Sequence, residues 1–261
     1  MSLPSATITI MLRAAEKAAK SLLRDFGEVE HLQVSRKGPG DFVSAADRRA
    51  EEIIYTELKK ARPSFGFLME EGGEIAGTDG EFRFIIDPLD GTINFLHALP
   101  HWNISIGLER GNEIIAGLVM DPAKNEVFYA EKGTGAFLDK RRLRVSARKD
   151  LETALVAGER EKTFVKNLTA CNGRLSGMRG LGAAALDLCY VASGRYEAFW
   201  GTNLKPWDVA AGSLIVREAG GLVVSLKGDP NPVYANKILS SNAALHQTFK
   251  DLLTANVTAG E

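Results

Sequence analysis

Phe84-Ile85-Ile86-Asp87-Pro88-Leu89-Asp90-Gly91-Thr92 leads from three apolar residues straight into two aspartates three positions apart. Read locally, it is a strand that ends in a turn, because Asp-Pro and Asp-Gly are common turn dipeptides. Two other stretches carry acids in similar places. Phe67-Leu68-Met69-Glu70-Glu71-Gly72 is a second apolar run closed by carboxylates, and Pro206-Trp207-Asp208 sets an acid at the start of a helix. Each acid also has an ordinary reading. Glu70 and Glu71 fit solvated loop charges, Asp208 fits a helix N-terminus, and Asp47, three after Ser44, fits one half of a capping-box-like pair. Carboxylates gathered at the ends of buried strands, however, repel one another unless cations sit between them.

Hard oxygen donors without an organised His or Cys set select Mg²⁺ or a similar ion, which keeps several waters and binds through a few carboxylates plus substrate phosphate. Gly91 and Thr92 add backbone N–H groups at a turn leading toward a helix, a cradle for a phosphoryl oxygen, and the Thr92 hydroxyl is placed to orient a water. Two ions about 3.5–4 Å apart steady the attacking and leaving oxygens of an in-line displacement. The acids therefore point to phosphate chemistry.

Around this segment the chain predicts an ordinary globular protein of one large or two closely packed domains. Its 261 residues are 45% hydrophobic and 25% charged, enough for a sizeable core. Thirty-two Lys and Arg against 33 Asp and Glu give a net charge of -1, so no overall positive field attracts nucleic acid or anionic lipid. Cys171 and Cys189 are too few for a disulfide framework or a four-ligand zinc site, and the four histidines lack HExxH spacing. Arg13, Glu16, Lys17 and Lys20 interrupt the first twenty residues, so no signal or spanning segment is expected there, and a cytoplasmic location with reduced thiols follows.

Apolar residues at Ile8, Met11, Leu12, Ala15, Ala19, Leu22, Leu23 and Phe26 recur with helical period. Lys37 to Asp41 reads as a Gly- and Pro-rich loop, and Ser44 opens a helix that carries Ile53, Ile54 and Leu58, so two helices precede any strand. Strand-like runs follow at 65–69, 82–86, 104–108, 114–119 and 127–129, joined by Gly- and Asn-containing turns into an antiparallel meander. Beyond residue 150 strands and helices alternate: strands near 154–157, 198–200, 222–226 and 238–240, with helices near 164–169, 183–192, 209–219 and 243–253. This predicts an N-terminal α+β half, 1–150, carrying most of the acids, and a C-terminal α/β half, 151–261, carrying Asp208, the two sharing one core.

These motifs resemble the inositol monophosphatase family, within the lithium-sensitive, Mg²⁺-dependent sugar and nucleotide phosphatases. Phe84 to Phe95, FIIDPLDGTINF, resembles the first family signature, and Trp207 to Gly221, WDVAAGSLIVREAGG, the second; 43–47 and 67–71 resemble two further segments. The resemblance runs from the first helix to about Leu245. It implies a layered αβαβα sandwich, usually a homodimer, and two or three Mg²⁺ ions. Glu70, Asp87 and the Leu89 carbonyl would hold the first ion, and Asp87, Asp90 and Asp208 the second. A third would share Glu70. Asp47, Glu70 and Thr92 would prepare the attacking water. Gly91 and Thr92 amides would bind phosphate, while Gly182, Ala183 and Ala184, with Asp90 and Asp208, would line the alcohol side.

Asn94-Phe95-Leu96-His97, Pro100 and Ser105-Ile106 resemble the inositol monophosphatase branch, which implies inositol 1-phosphate or a similar small polyol phosphate as substrate; fructose 1,6-bisphosphate and other sugar or nucleotide phosphates are the alternatives within the superfamily. His97 and His101 read as packing or hydrogen-bonding residues. Two positions depart from the family pattern. Ile93 stands where a second threonine is common, and Gly201-Thr202-Asn203 replaces a glutamate that hydrogen-bonds substrate hydroxyls seven residues before the second-signature aspartate. Lys205 reads as a solvated lysine or a contact for a second anionic group. The reading outside enzymes is a regulatory protein- or RNA-binding module, with Lys140-Arg141-Arg142-Leu143-Arg144 as the stretch that would meet an acidic partner.

Overall fold

Ser5 accepts the Ile8 N–H at 3.2 Å and so starts α1 (Ala6–Phe26), whose residues Ile8, Met11, Ala15, Ala18 and Leu22 form one buried face. The computed structural model describes residues 4–28, 34–38, 41–158 and 173–255. Helix α2 (Ala45–Ala61) packs beside α1, and both cover one face of an eight-stranded sheet. That sheet contains β3 (Gly66–Met69), β4 (Gly73–Ile75), β5 (Phe82–Asp90), β6 (Asn103–Arg110), β7 (Glu113–Asp121), β8 (Glu126–Glu131), β9 (Gly135–Leu138) and β10 (Arg141–Arg142), in the order β10-β9-β8-β7-β6-β5-β3-β4. Side chains alternate across it: Phe84 and Ile86 point to the α1/α2 core, and Ile85 points to the opposite one.

The opposite core encloses α4 (Ala184–Ala192) and α5 (Pro206–Glu218) against a five-stranded sheet of β11 (Leu155–Gly158), β12 (Gly177–Arg179), β13 (Ala198–Thr202), β14 (Leu222–Ser225) and β15 (Lys237–Ser241). Its order is β12-β11-β13-β15-β14. Helix α6 (His246–Ala255) closes the outer face through Leu245, Phe249 and Leu253, packed on Val156, Trp200 and Leu239. The layers are therefore helix, sheet, helix, sheet, helix, the expected αβαβα sandwich. Helix α5 approaches the first sheet over two glycines paired across β6 and β7, Gly107 and Gly117. A Cβ on Gly117 would stand 2.8 Å from the Ala211 carbonyl oxygen, so only glycine admits the helix backbone this closely.

Several local expectations are corrected. A strand pair, β1 (Val34–Gly38) and β2 (Asp41–Ser44), lies between α1 and α2, so two helices do not precede the first strand. Lys37, Gly38 and Asp41 are strand residues, with Gly38 paired to Asp41, whereas Pro39 and Gly40 lie outside the described residues. The meander holds from β5 to β10, yet β3 joins it in parallel, because β4 leaves β3 antiparallel on the outer side and the chain returns to run beside β3. The helix expected near 164–169 lies outside the described residues, as does Cys171; Cys189 is a buried free thiol on α4.

Candidate active site

The site forms where β3 and β5 end. Their parallel register pairs Met69 with Ile86, so the next residue on each strand, Glu70 and Asp87, are neighbours, and the Glu70 N–H donates to the Ile86 carbonyl at 3.2 Å. The β5–β6 register shifts between Asp87 and Asp90, where Pro88 has no N–H to offer the ladder. The Leu89 N–H turns back to Asp87 Oδ1 at 2.9 Å. Gly91 then adopts φ 92°, a left-handed conformation, and caps the short helix α3 (Thr92–Leu96). A Cβ at Gly91 would stand 2.9 Å from the His101 carbonyl oxygen and 3.4 Å from the Ala183 Cβ, so the turn is seated between those two segments.

Thr92 Oγ1 lies 3.1 Å from Asp47 Oδ1 and 3.0 Å from the Leu89 carbonyl oxygen, which brings three of the predicted residues into one hydrogen-bonded group. Asp47 is buried, in the first turn of α2. Asp90 Oδ2 accepts from Asn103 Nδ2 at 2.7 Å and from the Ala185 N–H at 2.9 Å, and the Ala184 N–H bonds the same carboxylate. Ala183 and Ala184 thus stand beside Asp90, with Gly182 at φ 71° turning the chain into α4. Asp208 is N3 of α5. Its Oδ2 accepts the Lys205 N–H at 2.8 Å, so it caps its helix while also facing the other acids.

Electrostatics confirms that the acids converge. Burial pushes the Asp87 carboxyl well above the usual range, and Glu70, Asp90 and Asp208 push it further in the same direction. Burial raises Asp90 to about 6 against the lowering pull of its N–H donors. Among the described residues no three His, Cys, Asp or Glu side chains stand ready as a metal cage. The like-charge crowding around Asp87 carries more weight, because carboxylate side chains draw together once a cation removes their repulsion. The available donors are all oxygens, which fits Mg²⁺.

Sequence reasoning missed several supporting residues. Asn103 holds Asp90, and Ser105 Oγ donates to the Trp207 carbonyl at 3.1 Å, tying β6 to the turn before Asp208. Both are polar residues alternating with Ile104 and Ile106 at the start of the strand after Trp102, which was the available signal. Buried Glu51 on α2 accepts the Glu71 N–H at 2.9 Å and fixes the turn after β3. Of the two histidines, exposed His97 follows α3, whereas burial and the nearby Lys124 charge lower His101 to about 4, leaving it neutral at pH 7. Gly201 leaves no hole: a Cβ there would stand 2.7 Å from Leu204 Cδ1, so the buried Leu204 side chain already occupies that space.

The model of the inositol monophosphatase family matches residues 4–259. The chain is 50% identical over 257 residues to the inositol-1-monophosphatase of Rhizobium meliloti, spanning 95% of this chain and 96% of that protein. It is 40% identical to the Nus factor SuhB of Pseudomonas aeruginosa, over 95% of this chain and 94% of that protein. Among solved structures, the extragenic suppressor protein suhB from Bartonella henselae superposes with a TM-score of 0.92 at 50% identity, covering 95% of this chain and 98% of that one. Fold, signature residues and whole-chain similarity agree: the chain belongs to the inositol monophosphatase family.

Proposed function

We propose that the protein is a Mg²⁺-dependent phosphomonoesterase that hydrolyses inositol 1-phosphate, or a similar small polyol phosphate, to the alcohol and phosphate. The observation that carries this reading is the buried Asp87 set among Glu70, Asp90 and Asp208. Glu70, Asp87 and the Leu89 carbonyl are assigned to one ion, and Asp87, Asp90 and Asp208 to a second, with Glu70 shared with a third. Bound there, Mg²⁺ supplies charge neutralisation on the phosphoryl group and acidifies water.

The chain's own residues do the rest. Thr92 has one hydroxyl proton, which it donates to Asp47 or to the Leu89 carbonyl, and its remaining lone pair accepts a proton of the attacking water. Asp47 fixes that rotor, and Glu70 is assigned as acceptor of the proton the water loses. The N–H groups of left-handed Gly91 and of Thr92 are assigned to bind the phosphoryl oxygens. Asp90, Asp208 and the segment Gly182–Ala184 border the leaving alcohol. No covalent phosphoenzyme is required.

The substrate assignment is supported by the 50% identical relative named inositol-1-monophosphatase. A homodimer, a cytoplasmic location and inhibition by lithium accompany this reading. Among the described residues no helix is long and apolar enough to cross a membrane. Phosphate release should be measured from inositol 1-phosphate, fructose 1,6-bisphosphate and adenosine 3′,5′-bisphosphate, with and without Mg²⁺. Mg²⁺-dependent turnover preferring inositol 1-phosphate is the expected result. Preference for a bisphosphate would overturn the substrate, and no turnover on any ester would favour a role like the one that the name Nus factor describes for the 40% identical relative.

A further inference from the structure

Asn94, in the middle of α3, bonds two main-chain carbonyls through its side chain. Its Nδ2 lies 2.8 Å from the His101 carbonyl oxygen and 2.7 Å from the Leu181 carbonyl oxygen. An amide nitrogen has two hydrogens, so both are used, one on each carbonyl. The Asn94 main-chain carbonyl accepts the Leu99 N–H at 2.8 Å, which closes the loop after α3 on the same residue. The two carbonyls belong to the two segments between which Gly91 is seated: His101 precedes Trp102 and Asn103, and Leu181 precedes Gly182, Ala183 and Ala184. The 181–185 segment is eighty-seven positions away in sequence and turns through a left-handed Gly182. Its amides at Ala184 and Ala185 bond Asp90.

We propose that Asn94 is a positioning residue that fixes the gap between the phosphate turn and the 181–185 segment, and thereby the fit of the leaving alcohol. This rests on the phosphatase reading above. Without the tie, the Gly182 turn is free to move away from Gly91 and take the Ala184 and Ala185 amides off Asp90. The phosphate turn keeps the Thr92 hydroxyl contacts to Asp47 and to the Leu89 carbonyl, neither of which uses the Asn94 amide. Loss of the tie should therefore weaken recognition of the ester more than recognition of phosphate itself.

The test compares wild type with Asn94→Asp, which sets a carboxylate against two carbonyls, and with Asn94→Ala as the variant to use should the first fail to fold. The expected result is a KM for inositol 1-phosphate raised about tenfold, the worth of two ordinary hydrogen bonds. The inhibition constant of inorganic phosphate should stay within about twofold. In protein freed of metal, amide exchange at residues 182–185 should accelerate while exchange at Ile104 to Leu108 does not change. Equal shifts in KM and in the phosphate constant, or unchanged exchange at 182–185, would overturn the proposal. If wild type hydrolyses no ester yet 182–185 still responds, the phosphatase reading fails and the structural tie stands.

Discussion

At the Phe82 end of β5, Arg83 Nε donates to buried Glu109 at 2.5 Å, Arg83 Nη2 donates to Tyr234 at 2.7 Å, and the Tyr234 hydroxyl donates to the other Glu109 oxygen at 2.5 Å. Four residues along the same strand from Arg83, buried Asp87 is crowded by three further carboxylates, Glu70, Asp90 and Asp208. One end brings its countercharge from within the chain; the other gathers like charges under similar burial. Burying a charge is costly unless it is paired. The contrast teaches that the acids at the second end are arranged for a cation from solution, and that the first end is a structural anchor between the two sheets.

Substitutions should separate the two ends sharply. Asp90→Asn is expected to lower phosphate release at least about a hundredfold, while the metal-free protein melts no lower than wild type because one like charge is gone. A variant that keeps its activity would break the comparison. Glu109→Gln should do the reverse, lowering stability by about 2 kcal/mol as the Arg83 and Tyr234 bonds lose their buried carboxylate while Arg83 keeps Glu74, with activity per folded molecule unchanged below the melting transition. Denaturant titration alongside phosphate release decides this pair.

A smaller effect concerns pH. Asp90 has a folded value of about 6, above its ordinary range, and Asp87 is raised as well. A raised carboxyl stabilises the fold fully at pH values below its unfolded value, and that contribution fades as pH rises through the folded value. Metal-free protein should therefore lose melting temperature from about pH 4 to beyond pH 6, and Mg²⁺ should remove this fall. A melting series with EDTA and with Mg²⁺ reads it directly; identical curves would contradict it. The smallest effect expected is for Ile93→Thr, since the Ile93 side chain is exposed beside the turn. A change in KM below about threefold, roughly one weak hydrogen bond, is anticipated in the same phosphate assay.

What the sequence made legible follows the range of the interactions. Periodicity located α1, the apolar run ending in Phe84, Ile85 and Ile86 located β5, and the signature segments placed Asp87, Asp90, Thr92 and Asp208 in one candidate site. Those features are written in contiguous residues. The parallel pairing of β3 with β5 depends on where β4 turns, and the hairpin before α2 depends on pairing rather than on a strong apolar alternation. Tyr234 meets Glu109 across 125 positions, and Asn94 meets Leu181 across 87. Such contacts leave no local pattern. Gly201 shows the same limit: its departure from the family glutamate was visible, but that Leu204 fills the space emerges only from the folded chain.

The most direct test of the central claim is calorimetric titration of Mg²⁺ into the metal-free protein at pH 6, repeated in two buffers of different ionisation enthalpy. If a cation takes the place of protons held by Asp87 and Asp90, binding should be detected and its heat should differ between the buffers by the enthalpy of the released protons. Absence of binding, or a heat that is the same in both buffers, would contradict the account.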